Sequence, residues 1–161
     1  MNLMHPIQLD LLAFLKFGKF DFIKLGQRKE WILANFPDPD DFDEQMLSSK
    51  WPIWTYDRLE FHFDQNNELT LIYTDYLHEI KSNSRFEVKP WIFENPSKLT
   101  LLFVLAELNE NAIDYQKLTG IYGVLLQLKS GVELSFASLE ETELAKPNEL
   151  MMTSISFTKK N

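Results

Sequence analysis

Residues 59–75, LEFHFDQNNELTLIYTD, constrain the fold more than any other stretch of the chain. Leu59, Phe61 and Phe63 alternate with Glu60, His62 and Asp64, the period of two that marks a half-buried strand. Gln65, Asn66 and Asn67 break the run, and Asn tolerates the left-handed backbone that tight turns need. Leu69, Leu71 and Tyr73 then restart the alternation, which predicts an antiparallel hairpin. Its expected apolar face carries these leucines and aromatics, and its expected polar face carries Glu60, His62, Asp64, Thr70 and Thr74.

A second hairpin is readable downstream. IDYQKL and YGVLLQL are two further strand patterns, and Lys129-Ser130-Gly131 is a turn before VELSFAS. MMTSISFTKK reads as a last strand with Met152, Ser154 and Ser156 on one face. Ser138 and Glu141 form a capping box for a short helix that Pro147 ends. FEVKPWIF, 86–93, adds a strand that Pro90 confines to an edge or a bulge.

Helical signals flank these strands. Pro6 fits the first turn of a helix carrying Ile7, Leu11, Leu12, Phe14 and Leu15, with Gly18 as its stop. A second helix is expected over 27–35, burying Trp31 and Ile32 before Pro37. A third, 98–108, has Ser97 as its expected N-cap and is apolar almost all round, the pattern of a central core helix. The expected class is α+β, mostly antiparallel sheet with helices packed on one face. The two halves share an order of helical material, hairpin and further strand, consistent with two similar helix–hairpin halves, although any two amphipathic hairpins look alike.

At 161 residues, 45% of them hydrophobic, the chain reads as one globular domain over 1–161. It holds no Cys, which removes disulfide scaffolds, thiolate metal sites and cysteine nucleophiles. The N-terminus lacks a basic region followed by an apolar core, and no apolar run approaches a membrane span. The expectation is a soluble, cytoplasmic protein without cofactor or metal.

Charge is the stronger functional signal. The net charge is −8, and residues 38–80 hold eleven acids against only Lys50 and Arg58. Such a field repels nucleic acid and anionic lipid and steers basic partners toward itself. Asp38, Asp40, Asp41, Asp43 and Glu44 form an acidic loop followed by Trp51 and Trp54, and indoles beside acids are the composition of a binding hot spot. The loop lacks the Gly and the distal bidentate Glu of a calcium loop. His62 beside Glu60 and Asp64 offers an acid/base alternative. A phosphate-binding Gly-rich loop and a nucleophile elbow are both missing.

The succession LGQRKEWILANFPDP, then WTYDRLEFHFDQNNELTLIYTDY, resembles small bacterial immunity proteins of polymorphic-toxin and contact-dependent growth inhibition systems. Leu25-Gly26 and Pro37 match the first part of that pattern, and Tyr56 with Leu59-Glu60-Phe61 matches the second. The chain departs at Asp57 and Phe36, where the pattern has Gly. The resemblance covers roughly residues 10–80. It implies a non-enzymatic inhibitor of a basic toxin domain, such as a nuclease. Its expected contact residues are Asp38, Asp40, Asp41, Asp43, Glu44, Trp51, Glu60 and Asp64. A protein–protein adaptor of the same class, or a small enzyme using His62 with Asp64 or Glu60, are the alternatives.

Overall fold

The computed structural model describes residues 5–43, 45, 52–138, 146 and 149–160. Seven strands form one antiparallel sheet: β2 (Ile53–Tyr56), β3 (Leu59–Phe63), β4 (Leu69–Thr74), β6 (Tyr115–Thr119), β7 (Gly123–Leu128), β8 (Val132–Ser138) and β9 (Leu150–Thr158), in the order β2-β3-β4-β9-β8-β7-β6. Both expected hairpins are present, as β3–β4 and β7–β8. The last strand joins the two meanders by pairing with β4 on one side and β8 on the other. The class is therefore α+β with a predominantly antiparallel sheet. Among the described residues, no helix is long and apolar enough to cross a membrane.

Two β-bulges decide which side chains face the core. His62 pairs with Leu71 and Phe63 with Leu69, so Thr70 is an extra residue on β4. Because side chains alternate with a period of two, one inserted residue moves everything beyond it to the opposite face. Leu69, Ile72 and Thr74 are buried with Phe61 and Phe63, whereas Leu71 and Tyr73 share a face with His62 and Glu60. The expected apolar face of β4 is thus corrected from Leu71 and Tyr73 to Ile72, and Thr74 moves inside. Likewise Thr153 is skipped between the Ser135–Ser154 and Phe136–Met152 pairs. That skip puts Met152 and Ile155 inside and leaves Ser154 and Ser156 on the other face. Both bulge threonines donate their hydroxyl to the strand they face, Thr70 to the carbonyl of His62 at 3.1 Å and Thr153 to that of Ser135 at 3.2 Å.

The N-terminal segment also differs from expectation. Ile7–Asp10 is a strand, β1, and the helix α1 starts only at Leu11 and runs to Phe17. Ile7 and Leu9 alternate with Gln8 and Asp10, and β1 pairs in parallel with β5 (Phe86–Lys89) in a separate sheet. This long-range pairing overrides the Pro6 start signal. Asp10 is the actual N-cap, accepting from Ala13 N–H at 3.0 Å. Gly18 ends α1 as expected, in the left-handed conformation at φ 67°.

Helix α2 (Lys29–Asn35) buries Ile32 as expected, while Trp31 stays half-buried. Helix α3 runs Leu101–Glu110 and is capped by Thr100, whose hydroxyl accepts from Phe103 N–H at 3.3 Å. Pro96, Ser97 and Lys98 form a 3₁₀ turn before it, so Ser97 is not the cap. Leu101, Val104 and Leu108 form the buried stripe, and Leu102 is 52% exposed, so α3 is amphipathic and not surrounded by core. The expected helix between Ser138 and Pro147 lies outside the described residues.

An unusual core feature is Lys29, at the first turn of α2 and 1% exposed. Its ammonium lies 5.5 Å from the ring of Trp54 and 5.1 Å from that of Phe63. Burial pushes its pKa below the ordinary 10.5, opposed by the Glu30 carboxylate. The unfolded chain then binds more protons than the native one between the lowered value and 10.5, so stability rises with pH across that window. Above 10.0 the Tyr56 phenol, raised by burial, works in the opposite direction. Denaturant melts at increasing alkaline pH should therefore show the native protein gaining stability as Lys29 passes through that window. They should show a flatter profile in Lys29→Met, whose thioether suits the same aromatic walls.

Candidate protein-binding surface

The expected contact acids are distributed over three places. The first is the corner beside the β2–β3 turn. The chain leaving Pro37 runs along β2, and Asp40 N–H donates to the carbonyl of Thr55 at 2.7 Å. The Tyr56 hydroxyl donates to the Pro37 carbonyl at 3.1 Å. One Asp40 oxygen accepts from Asp57 N–H at 2.7 Å, and the other meets Arg85 Nη1 at 2.7 Å. Arg85 Nε donates to the carbonyl of Asp38 at 2.8 Å. The segment therefore lies against the β2 edge, and Asp40 serves as its anchor. This arrangement leaves the carboxylates of Asp38, Asp41, Asp43 and Asp57 exposed together with the acidic corner. Asp41 and Asp57 have φ of 52° and 59°, left-handed values. Asp tolerates that conformation by local hydrogen bonding, so Asp57 fills a position where Gly is the usual choice.

The second place is the polar face of the sheet. Thr55, Glu60, Tyr73, Ser156, Glu133, Gln127 and Gln116 lie directly opposite one another, one per strand across all seven. Within this row Gln127 donates to the Glu133 carboxylate at 3.0 Å. The Glu60 carboxylate lies 2.7 Å from His62 Nε2, with His62 two residues along β3 on the same face. The Tyr73 phenol is held above its ordinary pKa by burial and by the nearby Asp75 charge. Except for the exposed Thr55 and Gln116 at the two edges, the members of the row are half-buried. They present carboxylate, amide and hydroxyl groups on a rigid backbone, suited to hydrogen-bonding a second surface.

The third place is the β3–β4 turn. Asp64 Oδ1 accepts from Asn66 N–H at 2.8 Å and from Glu68 N–H at 3.0 Å, and Asn67 adopts φ of 60°. Asp64 is a turn-forming residue, roughly 20 Å of strand away from the acidic corner. Asp64 is turned to its own backbone, so the His62–Glu60 pair lacks the third member that the sequence offered. Among the described residues, no group of three or more His, Asp or Glu side chains could hold a metal ion. Trp54 is a core residue, its ring 4.7 Å from that of Phe63. Glu44 and Trp51 lie outside the described residues.

Sequence reasoning missed Arg85, Asp57, Tyr73 and Glu133. The alternation in VELSFAS did place Glu133 opposite Val132 and Leu134, but only the β4–β9 pairing brings it into line with Glu60. Nothing near Arg85 in the chain signals that it pairs with Asp40.

No family model matches this chain, and neither a curated protein nor a solved structure matches it.

Proposed function

We propose that this chain is a non-enzymatic binding protein of the immunity type, which neutralises a basic toxin domain by steric and electrostatic occlusion. In this reading the helices cover the apolar face of the sheet and leave the polar row open to the partner. The observation that carries it is the Arg85-anchored corner, which holds Asp38 and Asp57 around Asp40 beside the exposed Asp41 and Asp43. A preorganised surface loses little conformational entropy on binding. Its negative potential speeds encounter with a positively charged cleft. The resemblance over residues 10–80 supplies the toxin as the kind of partner, and an acidic plug suits a nuclease because such enzymes bind a polyanion.

The experiment is co-expression with a candidate basic toxin domain, sought first among the genes beside this one, scored by growth. Protection by the native chain, reduced in the triple variant Asp38→Asn, Asp41→Asn, Asp57→Asn, is the expected result. The triple variant should associate with that domain about tenfold more slowly at low salt, with a smaller change in dissociation. Growth arrest that the native chain does not relieve contradicts the reading.

A further inference from the structure

The two edges of the large sheet are treated differently. β2 is covered by the Asp40 segment, whereas among the described residues nothing pairs with the outer side of β6. Gly120 N–H donates to Gly123 at 2.8 Å and Lys129 N–H to Asp114 at 2.9 Å. Hydrogen-bonded pairs alternate along an antiparallel ladder, so Gln116 and Leu118 also bond inward to β7. The N–H and C=O groups of Tyr115, Lys117 and Thr119 consequently point outward, an open template for another strand. Beside them Leu118, Ile121 and Tyr122 are 40%, 85% and 89% exposed.

We infer that β6 is a self-association edge, on which a second copy of this chain pairs antiparallel about a two-fold axis at Leu118. The choice of occupant follows from register and charge. Outward bonding requires odd-numbered residues of one copy to face odd-numbered residues of the other, and axes at Gln116, Lys117 or Leu118 are those that pair at least three β6 residues of each copy. An axis at Lys117 sets two ammonium groups directly opposite, a destabilising arrangement. An axis at Gln116 sets Leu118 against Asp114 of the other copy. An axis at Leu118 sets leucine against leucine and lysine against Thr119, and brings the Ile121–Tyr122 loop beside Tyr115. Charge favours the same arrangement. Residues 112–131 carry one acid, Asp114, and two bases, Lys117 and Lys129, in a chain of net charge −8. Pairing through β6 joins the least acidic parts of the two molecules. It holds their acidic β2 edges about 60 Å apart, far beyond the screening length of about 8 Å. The partner-binding corner stays free in both copies.

The absence of cysteine allows a direct test. Leu118 is exposed, so Leu118→Cys leaves the core intact. In the inferred register the two introduced thiols occupy a non-hydrogen-bonded pair with Cα atoms about 4.5 Å apart, within disulfide reach. Lys117→Cys and Gln116→Cys face other residues of the second copy. Under mild oxidation of concentrated protein, Leu118→Cys should form covalent dimer about tenfold faster than either control. Sedimentation of the unmodified chain should show a reversible, concentration-dependent dimer. Thr119→Pro, which deletes an outward N–H and spares the β7 ladder, should sediment as monomer with an unchanged far-UV spectrum. Equal cross-linking rates at the three positions, or an unmodified chain that is monomeric at every concentration, overturn the inference.

Discussion

Phe61→Ala should destabilise the protein by about 4 kcal/mol, the cost of deleting a fully buried aromatic ring whose cavity cannot collapse. Phe61 sits at the centre of β3 with no solvent exposure. Its ring packs 4.9 Å from that of Tyr56 and 5.7 Å from that of Phe20, so it ties the β2–β3 hairpin to the segment after α1. Tyr56 in turn donates to the Pro37 carbonyl that precedes the acidic corner. Loss of this ring therefore loosens the acidic corner as well as the core. Total stabilities of small domains are about 5–15 kcal/mol, so the variant should unfold at much lower denaturant. Equilibrium urea unfolding of the two proteins measures the difference, and a change below about 1 kcal/mol would mean the ring is not a keystone of this core.

Gly123→Ala should cost about 3 kcal/mol, by overpacking. Gly123 opens β7 opposite Ala137 of β8, and a Cβ there would overlap the carbonyl oxygen of Phe136. The obstruction is backbone in a paired strand, which cannot step aside as a side-chain tip can. The two strands must separate locally or the bulge between Ser135 and Phe136 must shift. Thermal unfolding tests this, with Gly120→Ala as the comparison, because a Cβ at Gly120 meets only ordinary contact with the Gly123 carbonyl. Equal melting of the two variants would contradict the close approach.

Local pattern made much of this architecture legible. The β3–β4 and β7–β8 hairpins announce themselves by alternation and turn residues, and Gly18 by the chemistry of helix ends. What stayed hidden depends on residues distant in sequence or on one-residue irregularities. β1 is a strand because Phe86–Lys89 lies beside it; the brief alternation of Ile7 and Leu9 with Gln8 and Asp10 is too short to outweigh Pro6 and the helical spacing that follows. The bulges at Thr70 and Thr153 invert the inside and outside of the strands beyond them, so a strict period of two assigns the wrong face. The acids at 38–43 are visible in composition. Their division into anchor and exposed carboxylates is not, because it is imposed by Arg85 from beside β5. Glu60 and Glu133 become members of one row only when β9 inserts between the two meanders.

Recruitment of a basic protein by the acidic corner, as proposed, makes binding depend on salt. The tagged chain should retain a basic partner domain from lysate at about 50 mM salt and bind it at least tenfold more weakly at about 500 mM, because exposed charges are screened over a shorter length. The Asp38, Asp41 and Asp57 triple Asn variant should lose most of that salt sensitivity. Binding of equal strength at both salt concentrations, or sensitivity unchanged in the triple variant, would contradict recruitment by this corner.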